Sequence, residues 1–269
     1  QLQRSGVKEI KGVGIGSAGQ VDSRTGIVYD PPNLPHWQKE DIRKVIEEEF
    51  GLPAFVDNDA NVAALAESQF GAGRDSEYLM LVTLGTGVGA GLIFHQEIFH
   101  GASGIAGEFG HFTLNHDGPL CQCGQKGCVE RYVGARWIIE RARTTIPDYP
   151  DSKVNQLIKE SGNKLTPEHI AQLAHEGDVL SIQVMKEVGT FLGAALGSVV
   201  NLLNLDLIII GGGISNAGSV LFDPIKKAIL EHSMSIPGSM VRIRKAKLGE
   251  HAGVIGAGQL VFKGLATPP

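Results

Sequence analysis

The sequence predicts an α/β protein, and three observations carry that expectation. Apolar runs of strand length recur along the chain, as in KGVGIGSAG (11–19), EYLMLVTLGTG (77–87) and LDLIIIGGGIS (205–215). Each run empties into glycine, where a backbone must turn sharply or pass close to something. Between the runs lie segments whose apolar residues follow the helical period. Glycine itself is abundant, 36 of 269 residues, yet it gathers behind apolar runs and does not form low-complexity filler.

In chain order, residues 11–19 read as a strand followed by a glycine-rich turn. DIRKVIEEEF (41–50) has a helical period with Ile42, Val45, Ile46 and Phe50 on one face. FGLPAFVDND is a turn and a short buried strand. ANVAALAESQFG (60–71) is an alanine- and leucine-rich helix closed by Gly71. EYLMLVTLGTGVGAGLIF (77–94) reads as strand, glycine turn, strand, and 130–145 as one helix. TPEHIAQLAHEG (166–177) opens with a threonine cap and a proline in the first turn and ends at Gly177. A long helix spans 178–204, where Gly193, Ala194, Ala195 and Gly197 permit close packing on a neighbour. A buried strand running into a triple-glycine turn (205–215) and helices at 223–232 and 253–262 complete the chain, and no internal repeat of solenoid length stands out. The polar connector Gly71–Ser76 suggests a boundary. A smaller domain is expected over 1–74 plus the C-terminal helix 252–269, and a larger one over 75–251.

Composition narrows the function. Hydrophobic residues make up 42% and charged residues 20%, an ordinary globular balance. A net charge of −5 argues against a phosphate-backbone binder. No continuous apolar run approaches the roughly 18 residues needed to span a bilayer, and a cytoplasmic location is expected.

The stretch CQCGQKGCVERY (121–132) contains all three cysteines of the chain. Three cannot pair completely, and Cys121 and Cys123 are too close for a comfortable disulfide. A soft metal accounts for the cluster better, and zinc seeks four ligands. Cys121, Cys123 and Cys128 supply three; His111 in GEFGH is the natural fourth, with His116 the local competitor. A closed site of this kind props up structure, and it would also fix the adjacent carboxylates Glu108 and Glu130.

Three further places suggest chemistry. In VDNDAN (56–61), Asp59 lies between a strand and a helix, where it either caps the helix or, facing the crevice at a strand's carboxyl end, takes a proton from a hydroxyl. Asn58 beside it suits a polyol. TLGTGVGAG (83–91) is either a tight hairpin or a phosphate cradle, and it is not a Walker loop. IIIGGGIS (208–215) is either a plain turn or a place where a nucleotide comes close.

Together VDNDANVAALAE, LVTLGTGVGAGLI, GEFGH, CQCGQKGCVE and LIIIGGGIS resemble the ROK family of sugar kinases and related repressors, over about residues 12–258. The resemblance implies the actin-like ATPase fold (ribonuclease H-like, hexokinase-type), with two α/β domains flanking a cleft. It implies Asp59 as catalytic base and Asn33, Asn58, Asp59, Glu108, His111 and Glu130 as sugar-binding residues. By the same resemblance, His111, Cys121, Cys123 and Cys128 bind structural zinc. Gly85, Thr86 and Gly87 match a phosphate motif, and Gly211, Gly212 and Gly213 an adenosine motif. ATP and Mg2+ would be the phosphoryl donor and its ion, glucose the first-choice hexose, and a homodimer the assembly. N-acetylmannosamine or N-acetylglucosamine kinases and sugar-sensing repressors are the alternatives. The family's opening D-x-G-x-T hairpin does not occur in this sequence. The expectation is therefore a sequence truncated at its start, which as it stands is not a competent kinase.

Overall fold

The computed structural model describes residues 9–31, 34, 36–160 and 164–266. The chain divides into two compact units. Unit 1 comprises Gln1–Asp75, Gly91–Gly107 and Leu248–Pro269; unit 2 comprises Ser76–Ala90 and Glu108–Lys247. The segment 91–107, expected with the larger domain, falls in unit 1.

In unit 1, β1 (Val13–Ser17) pairs in parallel with β5 (Ala54–Asn58), in register from Val13↔Ala54 to Ser17↔Asn58. A separate antiparallel ribbon joins β2 (Gln20–Asp22), β3 (Ile27–Tyr29) and β4 (Lys39–Asp41). These three strands escape sequence reading because each is only three residues long, too short for an alternating pattern to register. Val21, Val28 and Val56 form a small core against which Ile15 and Ile42 pack. Helix α1 (Ile42–Phe50) is capped by Asp41, whose side chain accepts from Lys44 N. Its expected apolar face is only partly used: Val45 and Phe50 are 57% and 60% exposed. The period specified a face, and no neighbour in the unit covers all of it.

Helix α2 (Asp59–Phe70) follows β5. The last helix, α10 (Ala252–Ala266), lies on β1, β5 and α2. The approach is close enough to demand glycine on both sides. A Cβ on Gly14 would sit 1.8 Å from Ala257 O, and one on Gly256 would sit 1.7 Å from Val62 O. Glu67 is fully buried, and its carboxylate accepts from Ala72 N and Leu248 N, both at 2.7 Å. It thereby ties the end of α2 to the segment that enters α10.

Unit 2 is built on parallel strands β6 (Tyr78–Leu84), β9 (Leu207–Gly211) and β10 (Arg242–Lys245), with β6 beside β9 and β9 beside β10. Strand β7 (Val88–Phe94) starts in unit 2 and ends in unit 1, where β8 (Glu97–Ile98) folds back on it. The region expected as a single helix at 130–145 is two, α3 (Glu130–Val133) and α4 (Ala135–Thr145). Gly134 is extended (φ −71, ψ 158) and breaks the run. Helix α5 (Lys153–Glu160) was not expected, and α6 (Pro167–His175) has the expected cap, Thr166 accepting from His169 N.

Helix α7 (Val179–Leu203) is the one helix among the described residues long and apolar enough to cross a bilayer, and 56% of its apolar window is buried. It packs on α8 (Ser219–His232), which begins four residues earlier than expected and carries Pro224 inside. Small residues set this contact. A Cβ on Gly189 would meet Pro224 Cβ at 2.7 Å, and one on Gly193 would meet Ile225 O at 2.5 Å. The small-residue face is thus occupied within the subunit and is not the face that would meet a second copy. A short helix α9 (Ser235–Met240) precedes β10.

Candidate functional site

The turn between β5 and α2 carries VDNDAN. The helix cap is Asn58, extended at φ −65, ψ 145, with Oδ1 accepting from Ala60 N at 2.8 Å and Asn61 N at 3.4 Å. Its Nδ2 donates to Gly19 O at 3.0 Å, anchoring the turn to the loop after β1. The cap is therefore Asn58 and not Asp59, which is the first helical residue. Asp59 is exposed as a residue, and its carboxyl accepts from Ala60 N at 2.8 Å. Partial desolvation raises the carboxyl above its ordinary value, while the N–H groups of Ala60 and of Asp59 itself pull it down. A carboxylate that is raised, reachable and set at a strand's carboxyl end can act as a general base. Asn33, expected to touch the same substrate, lies outside the described residues.

Sequence reading missed the group behind this turn. Asp57 is 2% exposed and accepts from Asn58 N (2.7 Å), Asn61 Nδ2 (2.8 Å) and His100 Nε2 (2.6 Å). Its position inside the quoted motif was the available signal; nothing in the spacing pointed to His100.

In unit 2, the turn 85–87 joins β6 to β7, with Gly85 N donating to Gly87 O at 3.0 Å. Glu130, at the head of α3, accepts from Val88 N at 3.0 Å. A side chain on Gly87 would collide with that carboxylate, its Cβ lying 2.6 Å from Glu130 Oε2. Ala135 N donates to Gly85 O at 3.1 Å, so the broken helix places the positive end of α4 beside the turn. Thr86 is exposed at its tip. Glu130, expected only as a sugar ligand, therefore also braces the glycine turn.

GEFGH forms a 3-10 turn over Phe109–His111, with Glu108 at its head. The glycine in its middle is obligatory, because a Cβ on Gly110 would lie 2.2 Å from Val88 O. The turn that carries Glu108 and His111 thus packs, through Gly110, on the same Val88 whose N–H Glu130 binds. The following loop reverses at Gly124 (φ 87) and Gly127 (φ 68), as the cysteine reading requires. Val129 N donates to Phe112 O at 2.9 Å, closing the loop beside His111.

This closure brings together His111, Cys121, Cys123 and Cys128, with all four ligand atoms within 4.8 Å of one another. His116 is not in the group; it pairs with Asp117 at the surface. Cys123 Sγ lies 3.6 Å from Cys128 Sγ, and Cys121 Sγ lies 3.7 Å from His111 Nδ1. A tetrahedron with Zn–S near 2.3 Å has edges of about 3.8 Å, so the residues fit one zinc ion. Burial and contact with Cys123 and Cys121 push the Cys128 thiol up to about 12. A divalent cation would reverse that preference and hold the thiolate.

The second glycine turn lies next to the first. Thr83 is in register with Gly211, so the carboxyl ends of β6 and β9 are neighbours, the place where open α/β sheets bind ligands. Gly212 has φ 81 and rests on Leu84, a Cβ there falling 2.2 Å from Leu84 O. Beside Gly213 opens a cavity of about 340 Å³ lined by Pro167, Glu168, His175, Ile214 and Ala217 among others. His175 Nε2 donates to Ala217 O at 2.7 Å, fastening α6 to the turn after Gly213.

The ROK family profile matches residues 1–263. Over 254 residues the chain is 37% identical to a glucokinase of Halalkalibacterium halodurans, covering 94% of this chain and 76% of that protein. It is 31% identical to a xylose repressor of Caldicellulosiruptor bescii, covering 97% of this chain and 65% of that protein. Among solved structures, a ROK family glucokinase from Streptomyces griseus in complex with glucose and AMPPNP superposes with a TM-score of 0.83 at 33% identity. That match covers 95% of this chain and 82% of the other. With the motifs, the paired glycine turns and these likenesses in agreement, the chain belongs to the ROK family and has the actin-like ATPase fold of its sugar kinases.

Proposed function

We propose that this chain is the sugar- and nucleotide-binding part of an ATP-dependent hexose kinase, with glucose the preferred acceptor at its 6-hydroxyl. The observation that carries the reading is the pair of glycine turns at the neighbouring ends of β6 and β9, with a ligand-sized cavity beside the second. The 37% identity to a glucokinase supports glucose over its N-acetylated relatives.

In this reading Asp59 accepts the hydroxyl proton as the sugar oxygen attacks the γ-phosphoryl group. Asn58, Glu108, His111 and Glu130 bind the remaining hydroxyls, and Asn33 adds a contact. Carboxylates suit this task because each accepts two hydroxyl hydrogen bonds, and an analogue lacking a hydroxyl leaves a desolvated charge unpaired. Gly85–Gly87 would receive the phosphates, Gly211–Gly213 and the cavity the nucleoside. Mg2+, carried with ATP, would neutralise phosphate charge, so positioning and electrostatics supply most of the acceleration. Zinc, if held by His111, Cys121, Cys123 and Cys128, would fix the orientation of the imidazole and of the carboxylates on either side of it.

The test is a panel of hexoses assayed with ATP on the full-length protein. Glucose should give the highest kcat/KM, and absence of phosphorylation across the panel refutes the reading. The 31% identity to a xylose repressor favours a second reading, a sugar-sensing repressor. Salt-dependent DNA binding by the full-length protein, relieved by sugar and without turnover, would establish it.

A further inference from the structure

A buried, fully partnered carboxylate that the proposed chemistry does not use lies directly beneath the turn that carries Asp59. Asp57 is the residue before Asn58 and Asp59, and its side chain is 2% exposed. A carboxylate so far from water must be matched by donors, or it costs several kcal/mol. It has three: the Asn58 N–H, the Asn61 side-chain amide and the ring Nε2 of His100. The first two are local, from the turn and the first turn of α2. The third comes from 43 residues along the chain and is the shortest, at 2.6 Å. Because a carboxylate only accepts, Nε2 carries the proton in this bond.

His100 is placed for this by packing on both sides. Before it, β7 presses on the start of α2: a Cβ on Gly91 would lie 2.7 Å from Ala60 O and 3.0 Å from Asn61 Cα. Phe99 N then donates to Leu92 O at 2.8 Å. After it, Ala106 N donates to His100 O at 3.1 Å, closing a loop through Gly101 and Gly104, both at positive φ. This loop leads to Gly107, where the chain leaves unit 1 and runs on into GEFGH.

We propose that His100 is a positioning residue: its hydrogen bond to Asp57 fixes the turn that presents Asn58 and Asp59. Asp57 relays the constraint, since the same carboxylate holds the Asn58 N–H and the Asn61 amide. The side-chain hydrogen bond of the imidazole goes to Asp57 and not to Asp59, so it acts through Asp57. The side chain of His100 is 32% exposed, so the contact is open to exchange and to small solutes.

The kinetic arm rests on the hexose-kinase reading; a second arm does not. In the full-length protein, His100→Ala should lower kcat by about 10- to 100-fold, the order lost when a reacting group shifts by about an ångström. Its hexose KM should stay within about threefold, since binding shared by ground and transition states is untouched. His100→Gln, whose amide donates from a similar reach, should recover most of the loss, and added imidazole should partly rescue His100→Ala. Independently of any activity, His100→Ala should speed amide hydrogen exchange in a peptide covering 57–61 while leaving α7 unchanged. Faster exchange there supports positioning even if no hexose is phosphorylated, a result that would sink only the functional reading. Unchanged exchange at 57–61, or a raised KM with kcat intact, overturns the proposal. So does a kcat loss that neither His100→Gln nor imidazole repairs, together with exchange accelerated throughout the protein.

Discussion

The turn at 57–61 and the loop at 111–128 both carry the polar groups proposed to meet a ligand, and they are held in different ways. The first is seated between a strand and a helix. Val56 and Val62 are buried on either side of it, Asn58 caps the helix, and Asp57 is hydrogen-bonded from three directions. The second has almost no ladder: two isolated bridges, Thr113↔Cys128 and Leu120↔Lys126, and an outer residue, Leu120, that is 65% exposed. Its geometry depends on four side chains converging to a point. A turn joined to regular structure inherits its precision from the ladder and the core. A loop without a core needs a cross-link, and where thiols are reduced a metal ion is the available one.

The contrast can be broken from either side. The largest effect should come from Asp59→Asn, which leaves the Asn58 cap and the packing in place but removes the base. Turnover should fall by roughly 10²- to 10⁴-fold while calorimetric hexose binding largely survives; near-normal turnover would refute the assignment. Next, if the cluster holds zinc as proposed, Cys128→Ser or a strong chelator should remove it and weaken hexose binding by about 10- to 100-fold. Exchange should accelerate at 111–129 and not at 57–61, as metal analysis with hydrogen exchange would reveal.

Acidity should separate the two regions again. The base works only when deprotonated, and Asp59 is raised from its ordinary value. The acid limb of kcat/KM should therefore lie above the roughly 3.9 of a free aspartate and fall about tenfold per pH unit below it. Metal affinity should also fall with acid, for a different reason: the Cys128 thiol, pushed up to about 12, must lose its proton to bind. The smallest effect expected is on stability. Asn58→Ala removes the cap on α2 and should cost about 1 kcal/mol in denaturant unfolding.

Parts of this were legible because they depend on local chemistry. Three cysteines within eight positions need a common partner wherever the chain runs, and Gly124 and Gly127 beside them mark the reversals. Thr166 before Pro167 starts a helix in any setting. Other parts were not legible because two local solutions were equally good. Asn58 and Asp59 can each cap a helix, and the extended backbone at Asn58 decides which one does. A helix through 130–145 is a reasonable continuation until Gly134 turns extended beside the glycine turn, where a Cβ would lie 3.5 Å from Thr86 O.

By itself, then, the sequence determined the strand-to-glycine runs, the clustering of three thiols and the carboxylate at the end of a strand, since each follows from residue type and short spacing. That His111 and not His116 joins the thiols was decided by the fold. Only the tertiary structure decided that the apolar face of α1 would be half used and that the small residues of α7 would receive α8. It also decided that Glu130 would hold Val88 and His100 would reach Asp57. Periodicity states which side of an element is apolar and spacing states which groups can meet locally. What lies across from them depends on how distant segments are brought together, and that is fixed only when the whole chain packs.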